Sequence, residues 1–212
     1  MLTSELAAQI ASADVSGLGE RLHATAPVIP LKPAGGDHDL NPSMPRHRIL
    51  SPAAVLVPII AKEEPAILFT RRTPHLARHA GQVSFPGGRM DESDVTALSA
   101  ALRETQEETG IAPQHIRIAG FLDPYETGSG FAIIPVVGVL TPGFELLPDP
   151  NEVAEVFEVP LAFLLARKNR QRQQMEWQGR LREFYAFTYG DHYIWGATAG
   201  ILVNFADRLT VR

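Results

Sequence analysis

Gly81-Gln82-Val83-Ser84-Phe85-Pro86-Gly87-Gly88, leading into Arg103-Glu104-Thr105-Gln106-Glu107-Glu108-Thr109-Gly110-Ile111, places a glycine turn before a segment that stacks carboxylates at its end. Four residues separate Glu104 from Glu108, so on an α-helix they lie one turn apart on one face, with Glu107 at its edge. Like charges at this spacing cost a helix roughly 0.2 to 0.5 kcal/mol per pair. A cation would offset that cost, and hard carboxylate oxygens suit Mg²⁺ or Mn²⁺ bound together with waters and substrate phosphates. The expected helix runs from Asp94 to Thr109, with Asp94 at its positive end and Gly110 as a left-handed stop. Leu98, Ala101, Leu102, Thr105 and Thr109 form the opposite stripe, which predicts packing on a sheet.

An acidic helix face alone is ordinarily a solvated surface. The Phe-Pro-Gly-Gly turn upstream and Arg103 beside Glu104 set this one apart. Arg71, Arg72, Arg78 and Arg89, with His75 and His79, gather positive charge around the glycines of a chain whose formal net charge is -5. A guanidinium fork suits phosphate oxygens, and glycine lets backbone approach a ligand closely. His75 and His79 read as loop hydrogen-bonders, since the acidic helix already supplies hard donors.

Gly88 through Ile111 resembles the Nudix box: Gly, five residues, Glu, seven residues, then Arg-Glu-apolar-x-Glu-Glu-x-Gly-apolar. Arg103, Glu104, Glu107, Glu108, Gly110 and Ile111 match, with Thr105 at the apolar position and Asp94 at the acidic one. The interval from Gly88 to Arg103 is one residue longer than the common form, a feature associated with the coenzyme A pyrophosphatase branch. Upstream, Leu68-Phe69-Thr70-Arg71-Arg72-Thr73 and the turn from Gly81 resemble that branch's signature, with Thr70, Arg72, Gly81 and Phe85 to Gly88 in register. Thr73 departs from its Ser/Ala, and Ala77 stands where a second Arg is expected, with Arg78 one residue later.

The resemblance implies an α/β fold, the Nudix-type α/β/α sandwich with a mixed β-sheet. It also implies metal-dependent hydrolysis of the diphosphate of coenzyme A or its derivatives, to 3′,5′-ADP and 4′-phosphopantetheine or its acyl form. Gly88, through its carbonyl, with Glu104, Glu107 and Glu108 would hold Mg²⁺ or Mn²⁺. Arg103 would orient a carboxylate, and Arg71, Arg72, Arg78, Gly87 and Gly88 would meet the substrate. The general base would be a box glutamate, Glu126 or Glu152. Rival readings are a Nudix pyrophosphatase acting on ADP-ribose or dinucleotides, and a non-catalytic Nudix-fold nucleotide sensor. Tyr125, Phe131 and Trp195 are aromatic residues that either stack on adenine or fill the core.

With 212 residues, 45% hydrophobic and 20% charged, the chain can bury a substantial core. The acidic balance argues against bulk nucleic-acid binding. No cysteine occurs, which excludes disulfides and thiolate chemistry and fits a reducing, cytoplasmic setting. Met1 to Glu20 lacks the basic start and apolar stretch of a secretory signal, and the apolar runs Ala53 to Ala61 and Ile133 to Leu140 are too short for a bilayer.

Residues 1–50 read as an N-terminal helical segment, with helices broken near Gly17 and Gly19, followed by a Pro-rich arm that wraps the domain or joins a partner subunit in a homodimer. Residues 51–212 read as the catalytic domain. Its expected elements are strands at Ala53 to Ile60, Ala66 to Thr70 and Val83 to Phe85, then strands at Ile116 to Leu122 and Phe131 to Leu140. A strand from Glu152 to Val159 runs into a short helix, a hairpin turns at Gln178 to Arg180, and Ala197 to Leu209 is a closing helix.

Overall fold

The computed structural model describes residues 3–27, 35–75, 79–177 and 179–210. In chain order the elements are α1 (Ser4–Ala11), α2 (Ser16–Gly19), β1 (Gly35–Gly36), α3 (Asp37–Leu40), β2 (Ser51–Ile60), β3 (Ala66–Arg72), β4 (Val83–Ser84), β5 (Gly87–Arg89) and α4 (Ala97–Thr109). Then come β6 (Ile116–Phe121), β7 (Tyr125–Glu126), β8 (Phe131–Leu140), β9 (Val153–Pro160), α5 (Leu161–Leu165), β10 (Gln171–Trp177), β11 (Arg180–Tyr189), β12 (His192–Trp195) and α6 (Ala197–Thr210).

The centre is the parallel pairing of β2 with β8, in unbroken register from Ser51 opposite Phe131 to Ile60 opposite Leu140. The other edge of each strand is shared. β5 pairs with Ala53 to Val55 of β2, and β3 takes over at Ile59 and Ile60. On β8, β7 covers Ala132 and Ile133 while β6 covers Val136 to Leu140. β3 continues outward to the antiparallel β9.

Both central strands are apolar on both faces, as a sheet covered on both sides requires. Ala54, Leu56, Ile134 and Val136 point into one core with Ala97, Ala100 and Ala101 of α4. Val57, Ile59, Val137 and Val139 point into the other, which is closed by α1, α2, α5 and α6. The result is the expected α/β/α sandwich around a mixed sheet. The antiparallel β10-β11-β12 is a separate small sheet, attached to the second core by Phe187 and Ile194.

The N-terminal segment shares this core: Leu6, Ile10 and Leu18 are buried in the same cluster as Ile59. The change at residue 50 is therefore one of composition rather than of packing. Gly17 and Gly19, expected to break a helix, lie inside the one-turn α2. Within the proline-rich arm, Asn41 donates to the carbonyls of Asp37 and Glu183 and accepts from the Glu183 N–H, tying α3 to β11.

Two further corrections concern α4. It begins at Ala97, not Asp94, because Thr96 caps it, accepting from the Ser99 N–H at 3.0 Å while the Ser99 hydroxyl accepts from the Thr96 N–H. Its buried stripe is Ala97, Ala100, Ala101, Thr105, Glu108 and Thr109, with Leu98 and Leu102 only half-buried, since small residues let the helix sit close to the sheet. The buried hydroxyls of Thr105 and Thr109 donate to the Ala101 and Thr105 carbonyls, each at 2.6 Å, so neither is left unsatisfied.

Candidate active site

The glycine strand and the acidic helix meet edge to edge. Gly87 has φ +148°, and a Cβ there would stand 2.5 Å from the Ala54 carbonyl oxygen, so only glycine fits. Its N–H donates to Glu108 Oε2 at 3.2 Å. At Gly88 a Cβ would lie 2.6 Å from Glu104 Cδ, so this carboxylate rests directly on the strand.

The three box glutamates differ in environment. Glu108 is 3% exposed, and burial pushes its pKa up to about 8 despite the Gly87 N–H and Arg72 beside it. Glu104 is half-buried and also raised, by burial first and then by its acidic neighbours, against the pull of Arg103. Glu107 points to solvent. Arg103 donates to Asp94 through Nε and Nη2 at 3.2 and 2.8 Å, and through Nη1 to Glu104 at 3.0 Å and Glu107 at 2.9 Å. That hydrogen bonding lowers the pKa of Asp94.

Among the described residues no three His, Cys, Asp or Glu side chains converge as a metal cluster. Glu104 rests on Gly88, Glu108 on the Gly87 N–H, and Glu107 shares the Arg103 Nη1 with Glu104. Two carboxylates and a carbonyl fit Mg²⁺ or Mn²⁺, because Mg²⁺ keeps several waters and takes only one or two carboxylates from the protein. Glu107, expected as a third ligand, is exposed and joined to Glu104 through Arg103 Nη1.

On the other side of the glycine strand opens a cavity of about 530 Å³. Gly87, Gly88 and Arg72 line its near end, and Phe131, Met175, Trp177, Trp195 and Arg182 line the rest. Arg72 joins the two regions, since it faces the cavity and its Nη1 lies 3.5 Å from Glu108 Oε1. Its Nε is buried without a partner.

The other expected residues separate. Arg71 turns away to Glu155, at 2.5 Å. Arg78 and Ala77 lie outside the described residues, His75 is exposed, and His79 meets Gln82 at 2.8 Å on the cavity wall. Glu126 is buried under Arg46 at 2.7 Å and close to His38. Glu152 is exposed, and its charge acts on both Glu104 and Glu108. Of the three aromatics, Phe131 and Trp195 line this cavity, whereas Tyr125 lines a smaller one of about 280 Å³. Sequence reading missed Met175, Trp177 and Arg182, which a hairpin distant in sequence brings to the glycine turn. An Arg and a Trp flanking a predicted turn were the only signal available.

Residues 50–178 match the NUDIX domain family. The uncharacterized Nudix hydrolase NudL of Klebsiella pneumoniae (strain 342) is 39% identical over 174 residues, 82% of this chain and 91% of that one. Its namesake from Photorhabdus laumondii is 42% identical over 159 residues, 75% of this chain and 85% of the relative. A MutT/nudix family protein from Enterococcus faecalis, of known structure, superposes with a TM-score of 0.48 at 17% identity, over 79% of this chain and 64% of that one.

Proposed function

The chain belongs to the Nudix hydrolase family, and on that premise we propose that it cleaves the diphosphate of coenzyme A or its derivatives, giving 3′,5′-ADP and 4′-phosphopantetheine or its acyl form. The observation that carries the reading is Arg72, which borders both Glu108 and the cavity beside Gly87 and Gly88. A diphosphate at that junction meets a guanidinium on one side and carboxylate-held metal on the other. The register of Thr70, Arg72, Gly81 and Phe85 to Gly88 with the coenzyme A signature supports the choice of substrate.

Glu104 and Glu108, with the Gly88 carbonyl, would hold Mg²⁺ or Mn²⁺. A bound divalent ion supplies charge neutralisation on the diphosphate oxygens and a readily deprotonated water. The protein's own groups do the remaining work. Arg72 grips a phosphate oxygen, the Gly87 N–H fixes Glu108, and Arg103 fixes Glu104 from the solvent side. Glu152, exposed and acting electrostatically on both Glu104 and Glu108, would take a proton from attacking water. The apolar cavity wall receives the organic part of the substrate.

Product analysis tests this. Purified protein with Mg²⁺ or Mn²⁺ is offered coenzyme A, ADP-ribose and NADH in parallel. Formation of 3′,5′-ADP from coenzyme A as the preferred reaction is the expected result. Preference for ADP-ribose or NADH would overturn the substrate while leaving the metal chemistry in place.

A further inference from the structure

Arg182 sits on β11, in the wall formed by the C-terminal hairpin and not by the motif segment, yet it lines the same cavity as Gly87, Gly88 and Arg72. Its guanidinium stands 5.4 Å over the ring of Trp177 on β10, and its Nη2 pairs with Asp37. Asp37 has its own donors besides: Tyr125 O–H at 2.9 Å and the Gly128 N–H at 2.7 Å. Arg182 is thus the cation that Asp37 holds through Nη2, with two neutral donors completing the carboxylate, while the rest of the Arg182 fork makes no hydrogen bond among the described residues. The Nε of Arg182 is buried with no hydrogen-bond partner, and among the described residues that line this cavity Arg72 is the other arginine in that condition. Both Nε atoms are enclosed, so a ligand in the cavity would meet each arginine through the fork nitrogen that Asp37 or Glu108 leaves open. Asp37 and Trp177 also hold the fork rigidly, so little side-chain entropy is lost on binding an oxyanion.

We infer that Arg182 is a specificity residue, contacting an anionic group of the substrate other than the diphosphate that is cleaved. Two arginines with unpartnered donors in one cavity describe a ligand with two separate anionic groups joined by an apolar or aromatic body. A nucleoside diphosphate that carries an additional phosphate on its ribose has that chemistry. The inference rests on the proposed function in seating the cleaved diphosphate at Gly87 and Gly88, with the ribose phosphate at Arg182.

The test is calorimetric binding by full-length protein without divalent metal, so that no turnover occurs. Two ligand pairs differ by one ribose phosphate: coenzyme A with dephospho-coenzyme A, and NADPH with NADH. Wild type is expected to bind the phosphorylated member of at least one pair about tenfold more tightly, the gain from one charge-assisted hydrogen bond. Arg182→Gln should lose that preference by weakening the phosphorylated member about tenfold and leaving the other within about twofold. Arg182→Lys, which keeps the charge and fits the same space, should restore part of it. A merely structural arginine would weaken both members equally, and thermal melting of each variant reports any general loss of fold. Equal affinities within both pairs for wild type, or equal losses in Arg182→Gln and Arg182→Lys, overturn the inference. Discrimination confined to NADPH over NADH would sustain Arg182 while counting against coenzyme A.

Discussion

Gly88 and Glu104 are in such close contact that a single methyl group would part them: a Cβ at position 88 would lie 2.7 Å from each of the Glu104 carboxylate oxygens. Gly88 has no left-handed backbone requirement, unlike Gly87. Gly88→Ala should therefore fold normally but displace Glu104, lowering kcat by about 10- to 100-fold, as when a metal ligand loses its support. Gly87→Ala should instead lose stability, since its Cβ meets the rigid backbone of β2. Kinetics and thermal melting of the two variants separate these effects. Equal kinetic and thermal losses in both would contradict the distinction.

Glu108→Gln keeps an oxygen to accept from the Gly87 N–H while removing the carboxylate that would bind metal. Loss of a metal donor should cost about two to three orders of magnitude in kcat, the several kcal/mol that charge stabilisation by metal contributes. Addition of Mg²⁺ should raise the wild-type melting temperature through mass action and leave that of the variant nearly unchanged. A variant still stabilised by Mg²⁺ would show that the ion is held elsewhere.

Arg103 divides one guanidinium among Asp94, Glu104 and Glu107. Lysine keeps the charge but lacks the planar fork that bonds Asp94 through two nitrogens and still reaches the glutamates. Arg103→Lys should lower kcat by about 10- to 100-fold and weaken metal binding to a similar degree, with KM for the substrate nearly constant. A rise in KM alone would assign Arg103 to substrate contact.

Local spacing made the acidic helix face legible in the sequence, and continuous apolar runs did the same for the central strands. The Glu104 to Glu108 interval is a property of the helix itself, and β2 and β8 are apolar along their length because both faces are covered. Position 94 was misread because an acidic residue near a helix start resembles a first-turn carboxylate, whereas Thr96 and Ser99 close the cap and leave Asp94 to receive Arg103. The far wall of the cavity was not legible. Trp177 and Arg182 face each other because β10 and β11 pair, and they face Gly87 because the small sheet docks on the second core. No interval in the sequence encodes that docking. The arm was opaque for a similar reason, since Asp37 and Asn41 are fixed by partners on β11.

Asp123 ties the N-terminal segment to α6, accepting from His23 on one side and from Asn204 and Arg208 of that helix on the other. Burial alone would raise its pKa, but these hydrogen bonds, that of Arg208 foremost, outweigh burial and bring it down to about 2. A carboxylate depressed in the folded state stabilises the fold above its unfolded pKa near 4, and that contribution fades as pH falls toward 2. The melting temperature of Asp123→Asn should therefore lie below wild type at pH 7, with the gap closing between about pH 4 and 2. A gap independent of pH would mean that packing, not charge, is what the substitution removes.

Glu126 and Glu152 were equivalent as candidate bases in the sequence, and the fold distinguishes them. Glu126 is 4% exposed, fixed by Arg46 at 2.7 Å and near His38, so its removal breaks an internal contact. Glu126→Gln should cost about 1 to 3 kcal/mol of stability, a fall in melting temperature of about 2 to 4 °C per kcal/mol, with kcat within about twofold of wild type. Glu152 is exposed, sits in the turn just before β9 and acts electrostatically on both Glu104 and Glu108. Glu152→Gln should leave melting unchanged and lower kcat by about two orders of magnitude, the usual contribution of a positioned base. If Glu152→Gln retains full kcat, proton removal must fall to a glutamate of α4, and Glu107, the exposed one of the three, becomes the residue to replace next.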